Sequence, residues 1–105
     1  MKVVELKDYT PREIVRRIKE LSAADSQNVA ISPHAKERML ERGITRVQVQ
    51  RCLEKGQQDG VVEKDEHGHW RARMKLRTAG ILLTVVASLV KQQNGEIVVV
   101  ITTFK

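Results

Sequence analysis

The sequence predicts an α+β fold in which two to three N-terminal helices pack on one face of an antiparallel β-meander of about four strands. Up to Lys55 the apolar residues recur with the period of an α-helix, and from Gln57 onward the period is two. Short connections between the later strands make them antiparallel neighbours. With 105 residues and no internal repeat, the chain is predicted to form a single domain over residues 1–105.

The first helix is predicted from about Pro11 to Ala24. Thr10 and Glu13 form a capping-box signature at its start, with proline at the first helical position. Its apolar face consists of Ile14, Val15, Ile18 and Leu21. The weak alternation before it predicts an N-terminal arm or an edge strand over residues 1–10.

The central helix has clear signals at both ends. Ser32 can cap it, Pro33 suits its first turn, and Gly43 can end it. At about 100° per residue, one arc of this helix is polar and the neighbouring arc is apolar. The polar arc carries His34, Arg38 and Arg42, and the apolar arc carries Ala35, Met39 and Leu40.

A third helix is predicted to follow almost without a linker. Thr45 and Gln48 form a second capping box, and Gly56 ends the helix. Its inward residues include Cys52, the only cysteine, which is predicted to be a core thiol. A single cysteine excludes an internal disulfide and a cysteine-based zinc site.

The C-terminal half is predicted to be a sheet. Residues 29–31 are a brief extended lead into the central helix, and the sheet proper begins with a strand at 61–64 and a glycine turn at 66–69. Trp70 to Arg77 alternates between apolar and basic residues, so one face of this strand is predicted to be buried. A nearly continuous apolar strand at 81–90 and a last strand at 96–104 follow, joined by a hairpin at 92–95.

The net charge of the chain limits the kinds of molecule that it is expected to bind. Nineteen Lys and Arg against thirteen Asp and Glu give a net charge of +6 and a pI near 9.8. RNA, DNA or an acidic protein suits such a surface. No apolar run approaches the roughly 20 residues that span a bilayer, and no signal peptide is evident, so a cytoplasmic protein without a membrane partner is expected. The oligomeric state does not follow from the sequence.

The basic side of the strand at 70–77 is the first candidate site. It consists of Arg71, Arg73, Lys75 and Arg77, with no acidic residue between them in the alternation. Strand geometry spaces these side chains about 6.5 to 7 Å apart, close to the phosphate repeat of an extended single strand. Nucleic-acid binding is therefore predicted, and a solvated outer face that limits aggregation is the alternative.

The row of His34, Arg38 and Arg42 is the second candidate site. RNA cleavage through the 2′-hydroxyl needs a base, an acid and positive donors around the phosphate. His34 could be the base or the acid, and the two arginines could hold the phosphate bidentately. Alternatively, these side chains only pair with neighbours on the same helix.

His67 and His69 flank Gly68 at the turn beside the basic strand. Either could be an accessory general acid, although an exposed turn histidine is the simpler interpretation. The sequence contains no recognisable ligand pattern of carboxylates or cysteines around them, so no metal and no cofactor is predicted.

The stretch from His34 to Thr45 resembles a small bacterial family catalogued as a domain of unknown function and grouped with the BrnT and RelE-like ribonuclease toxins. The family pattern is matched by His34, Ala35, Arg38, Arg42, Gly43, Ile44 and Thr45. The resemblance covers roughly residues 29 to 104. It implies a RelE or barnase-like fold, an acidic antitoxin as partner, and a catalytic group on or just beyond the last strand. This chain has no Tyr or His there, and Thr103 is the candidate accessory hydrogen-bond donor.

Together these features predict a metal-independent endoribonuclease of the toxin type, which cleaves RNA by attack of the 2′-hydroxyl on the phosphate. The alternative is a non-catalytic basic module that binds nucleic acid or an acidic protein. Both predict binding that weakens with salt, so only cleavage separates them.

Overall fold

The computed structural model of the chain describes residues 9–78, 80–93 and 95–105. Within these ranges it contains three α-helices and six β-strands. The helices are α1 (Pro11–Ala24), α2 (Pro33–Arg42) and α3 (Arg46–Lys55). The strands are β1 (Val29–Ile31), β2 (Gln57–Gln58), β3 (Glu63–Lys64), β4 (Trp70–Thr78), β5 (Ile81–Gln92) and β6 (Gly95–Phe104). The predicted α+β class is confirmed. The predicted arm or edge strand at 1–10 lies outside the described residues, apart from the two residues before α1.

The sheet has more strands than the sequence predicted. β4, β5 and β6 form the expected antiparallel meander, and the full order is β1-β6-β5-β4-β2, with β3 also paired to β4. The prediction of about four strands was too low because it missed β1 and β2, whereas the strand expected at 61–64 is present as β3. β1 pairs in parallel with β6, and β2 and β3 pair separately with the outer edge of β4. Gly60, at a φ of 85°, lies in the irregular segment between β2 and β3.

The helix boundaries follow the predicted caps. Both capping boxes form, at Thr10 with Glu13 and at Thr45 with Gln48. The Ser32 side chain accepts from the backbone N–H of Ala35, and Gly43 ends α2 in the left-handed region at a φ of 64°. A glycine is favoured there because other L-residues rarely adopt this conformation.

The core lies between the helices and one face of the sheet. From the helices it takes side chains such as Ile14, Ile18, Ala35 and Leu53, and from the sheet it takes Met74, Leu83, Val85, Leu89, Val98 and Val100. Cys52 is fully buried among them, as predicted. No helix in the described part of the chain is long and apolar enough to cross a membrane.

A bulge in β6 changes the face of the sheet on which the last residues of the strand lie. Ala87 pairs with Val100 while Val86 pairs with Thr102, so Ile101 is an extra residue between them. Because side chains alternate along a strand, one extra residue moves all later residues to the opposite face. Phe104 therefore lies on the outer face with the basic residues of β4, and Thr103 lies on the helix face.

Helix α2 closes the edge of β6 that β1 leaves open. The backbone N–H of Ser32 donates to the carbonyl of Val100 over 3.1 Å, and its hydroxyl lies 3.2 Å from the carbonyl oxygen of Ile101. At the other end of α2, Arg42 Nη1 donates to the carbonyl of Thr103 over 2.7 Å. These contacts hold α2 beside the C-terminal end of β6. They therefore determine where the arginines of α2 lie.

Candidate functional site

Phe104 connects the two basic rows that the sequence predicted. The guanidinium carbon of Arg42, from α2, lies 5.7 Å from the centre of the Phe104 ring. The guanidinium carbon of Arg73, from β4, lies 5.9 Å from the same centre. Both distances are in the range of cation–π interactions. Phe104 is 39% exposed, so these three residues form a basic, partly apolar surface open to solvent.

An open cleft of about 440 Å³ lies on the outer face of the sheet beside this ring. One wall is the segment between β2 and β3, and the floor comes from β4, β5 and β6. The lining residues are Asp59, Gly60, Val61, Glu63, Arg71, Ala72, Arg73, Val86, Ile101, Thr102 and Phe104. The cleft thus combines two guanidinium groups, two carboxylates, an aromatic ring and aliphatic side chains.

The basic face of β4 is partly neutralised by nearby carboxylates, although the alternation in its own sequence predicted a face without acidic residues. Asp59 Oδ1 lies 3.5 Å from Lys75 Nζ, and Asp65 Oδ2 lies 3.6 Å from Arg71 Nη2. These acids come from the segment after α3, which folds along the edge of β4, so the strand's own sequence does not reveal them. Arg73 and Arg77 form no ion pair with any described residue. Arg77 is exposed and does not line the cleft.

The turn that carries His67 and His69 is organised by Asp65. Its Oδ1 accepts hydrogen bonds from the backbone N–H groups of His67 at 2.8 Å and of His69 at 3.0 Å. Burial alone would raise the pKa of the Asp65 carboxyl. The two backbone donors, His69 and the Arg71 guanidinium outweigh that effect and hold the pKa below its usual value. This aspartate is therefore a structural carboxylate of the turn.

Both turn histidines are accessible, with rings 6.4 Å apart. Neither lines the cleft described above. No group of three or more histidine, cysteine or acidic residues is arranged to hold a metal ion in the ranges that the structure describes. The accessory role predicted for these histidines stays a prediction.

His34 and Arg38 lie in earlier turns of α2 than Arg42. His34 is exposed in the first turn, about 12 Å along the helix axis from Arg42 at 1.5 Å per residue. Arg38 Nη1 is 2.6 Å from Glu41 Oε2, the intrahelical pair that the sequence allowed. None of the three lines the cleft, and of this row only Arg42 contacts Phe104, the ring that Arg73 also contacts.

Thr103 lies on the side of β6 that faces the core. Its side chain is fully buried, and its hydroxyl has no hydrogen-bond partner among the described residues. The neighbouring Thr102 lines the cleft instead. Arg71 Nε and Ser88 Oγ, on directly paired residues of β4 and β5, are likewise buried without a partner.

Sequence reasoning did not single out Phe104, Asp59 or Glu63 as site residues. The acids lie in a segment whose path along β4 depends on tertiary contacts. The bulge at Ile101 decides the face of Phe104, and strict alternation from Val98 and Val100 would have placed this ring in the core. The scarcity of aromatic residues, three in the whole chain, was the one signal that could have drawn attention to it.

A family model described as a domain of unknown function, DUF4258, matches residues 31–105. The chain belongs to the DUF4258 family. The match includes α2, α3, the strands from β2 onward and every residue that lines the cleft, whereas α1 precedes it. No curated protein and no solved structure matches the chain.

Proposed function

We propose that this DUF4258 protein binds single-stranded RNA through the cleft beside Phe104. The observation that carries the proposal is the pair of guanidinium groups, from Arg42 and Arg73, at 5.7 and 5.9 Å from one exposed aromatic ring. Single-stranded nucleic acid is bound by proteins that combine aromatic stacking with positive charge along the backbone.

The arginines and the aromatic ring at the cleft together suit a nucleic-acid strand, which offers both phosphates and bases. Arg73 has no carboxylate partner among the described residues, so it can contact a phosphate without first breaking an ion pair. Arg71 remains 40% exposed although it approaches Asp65. When a phosphate draws one of the two guanidinium groups off the ring, Phe104 offers one base a stacking surface, and base–aromatic stacking contributes about 1–3 kcal/mol. The two kinds of contact lie side by side, as a nucleotide requires.

Fluorescence anisotropy with a labelled RNA of about ten nucleotides tests the proposal. We expect Arg73→Gln and Phe104→Leu each to weaken binding roughly tenfold, in line with the loss of a phosphate contact or a stacked base. Arg16→Gln is the matched control, because it removes the same charge from α1, on the far side of the sheet, where Arg16 is 71% exposed. Equal losses in Arg16→Gln and Arg73→Gln would contradict a local site.

The salt dependence provides a second readout. For a single strand, log K falls with log salt by about 0.7 for each phosphate contact. With Arg42 and Arg73 in contact, we expect a slope of about −1.4 for the parent protein and a shallower one for Arg73→Gln. An acidic protein as partner, such as the antitoxin implied by the toxin resemblance, would compete with RNA for the same residues.

Cleavage of the bound strand is a second candidate function. It is favoured by the carboxylates of Asp59 and Glu63, which line the same cleft as Arg71 and Arg73. A carboxylate can accept the proton of the 2′-hydroxyl, whose oxygen attacks the phosphorus as the bond to the 5′-oxygen breaks, while guanidinium groups stabilise the charge on the phosphate. The protonated carboxyl or water returns a proton to the leaving 5′-oxygen. Such an enzyme would be the metal-independent, toxin-type endoribonuclease that the motif resemblance suggests.

Incubation of mixed-sequence RNA with the purified protein in EDTA tests this function. A ribonuclease of this type yields 2′,3′-cyclic phosphate ends, and its activity should fall at least a hundredfold in Asp59→Asn or Glu63→Gln if that carboxylate is the base. His34→Ala and Arg38→Ala test the residues predicted from the helix motif. Absence of cleavage with salt-dependent binding retained would favour the non-catalytic module.

A further inference from the structure

Glu63 differs from the other acidic residues near the basic face. Asp59 pairs with Lys75 and Asp65 pairs with Arg71. Glu63 lines the cleft, is exposed, and forms no ion pair with any described residue, although its backbone lies directly opposite Arg71 in the strand register. A free carboxylate therefore remains within a cleft that is otherwise suited to a polyanion.

This carboxylate divides the cleft into two parts. A phosphate group near Glu63 would be repelled, so phosphates are expected on the side of Arg42 and Arg73. An ionised carboxylate only accepts hydrogen bonds, so a group that suits it presents hydrogen-bond donors. In a bound RNA strand, the edge of a nucleobase is such a group.

The size and lining of the cleft are compatible with one nucleotide. Its volume of about 440 Å³ falls in the range of roughly 300–1,000 Å³ found for small-ligand sites. Phe104 supplies an aromatic face, and Val61, Val86 and Ile101 supply aliphatic contacts. A base stacked on the ring would extend its hydrogen-bonding edge into the cleft, away from the arginines that hold the backbone.

We propose that Glu63 makes the cleft selective for guanine. Guanine is the RNA base that presents two adjacent donors, N1–H and the N2 amino group, and these match the two oxygens of one carboxylate. Adenine and cytosine place an acceptor nitrogen beside their amino group, and uracil places its N3–H between two carbonyl oxygens, so each would face the carboxylate with at least one acceptor. This selectivity rests on the proposed binding of RNA.

The test uses a series of labelled oligouridine nonamers with one central guanosine, adenosine, cytidine or inosine. Inosine retains N1–H and lacks the N2 amino group, so it isolates the second hydrogen bond. We expect the guanosine strand to bind roughly tenfold more tightly than the adenosine and cytidine strands, with inosine between them. Glu63→Gln should remove this preference.

Glu66→Gln is the matched control, since Glu66 is 87% exposed in the same segment and does not line the cleft. It should keep the guanine preference. Equal affinity of the parent protein for all strands, or a preference that survives in Glu63→Gln, would overturn the guanine proposal and leave RNA binding intact. Failure of the parent protein to bind any strand would overturn the proposed function, and base selectivity with it.

Discussion

Arg42 donates a hydrogen bond from Nη1 to the backbone oxygen of Thr103 over 2.7 Å. This bond joins the last turn of α2 to the last strand of the sheet, and it holds the same guanidinium near the ring of Phe104. A residue that the helix pattern suggested for phosphate binding therefore also supports the fold. An Arg42 variant could lose RNA binding either through a lost phosphate contact or through a destabilised fold. The binding tests therefore use Arg73.

Replacement of Arg42 by methionine should lower the free energy of unfolding by about 1–2 kcal/mol, because it removes a charged donor from a strand carbonyl and a cation from an aromatic face. Urea denaturation would measure the loss. Arg38→Met is the control on the same helix. It breaks only the solvent-accessible pair with Glu41 and should cost about 0.5 kcal/mol or less. Similar losses in both variants would show that the contact with Thr103 contributes little.

Gly56 lies at a close approach of two backbone segments, at the end of α3. A Cβ atom there would come within 2.8 Å of the carbonyl oxygen of Lys75, and closer still to that of Cys52. We expect Gly56→Ala to destabilise the protein by about 2 kcal/mol or more, because neither backbone segment can move freely. Gly60→Ala is the comparison, since its Cβ would meet open space and its cost is limited to the strain of a positive φ, about 1 kcal/mol. Thermal or urea unfolding would measure the stability of both variants and show which substitution costs more.

Burial raises the pKa of the Cys52 thiol to about 12. The thiol lies 3.4 Å from the carbonyl oxygen of Met74, in the core between α3 and the sheet. We expect the folded protein to react with a thiol reagent such as DTNB at pH 8 only as fast as it unfolds. Rapid reaction under native conditions would contradict this burial.

The same thiol predicts a pH dependence of stability. The folded pKa is above the unfolded value, so the contribution of the neutral thiol is complete below about pH 8.5 and is lost as the pH rises toward 12. Between pH 8 and 10 the unfolding free energy of the parent protein should therefore fall more steeply than that of Cys52→Ala. Parallel pH profiles would contradict the raised pKa.

Asp65 should stabilise the turn at 65–69 mainly when it is ionised. Its pKa is lowered in the folded state, so its contribution is present above about pH 4 and is lost as the pH falls below that value. We expect Asp65→Asn to cost about 1 kcal/mol at pH 7 and much less at pH 3. Urea midpoints at both pH values would measure this, with Glu66→Gln, an exposed neighbour, expected to change neither. A cost for Asp65→Asn that did not depend on pH would show that the charge is unimportant.

Much of the local structure followed from sequence signals. The caps at Thr10, Ser32 and Thr45 start the three helices, and the alternation from Trp70 to Arg77 correctly separates the buried from the basic face of β4. These features depend on interactions between residues a few positions apart, so the chain carries them in its local pattern. The strand expected at 61–64 is present, although shorter, as β3. The short strands β1 and β2 were not predicted, because they are too brief for any periodicity and their pairing depends on distant partners.

The sequence by itself determined the class of the fold, the helices and their ends, the inward face of β4, and the two sets of basic residues that suggest a polyanion as partner. Only the tertiary structure decided how those residues meet. The bulge at Ile101 moves Phe104 to the outer face, the contact of Arg42 with Thr103 places α2 beside it, and the segment after α3 carries Asp59 and Glu63 to the edge of β4. Each of these depends on pairing between residues far apart in the chain, which a local pattern does not specify.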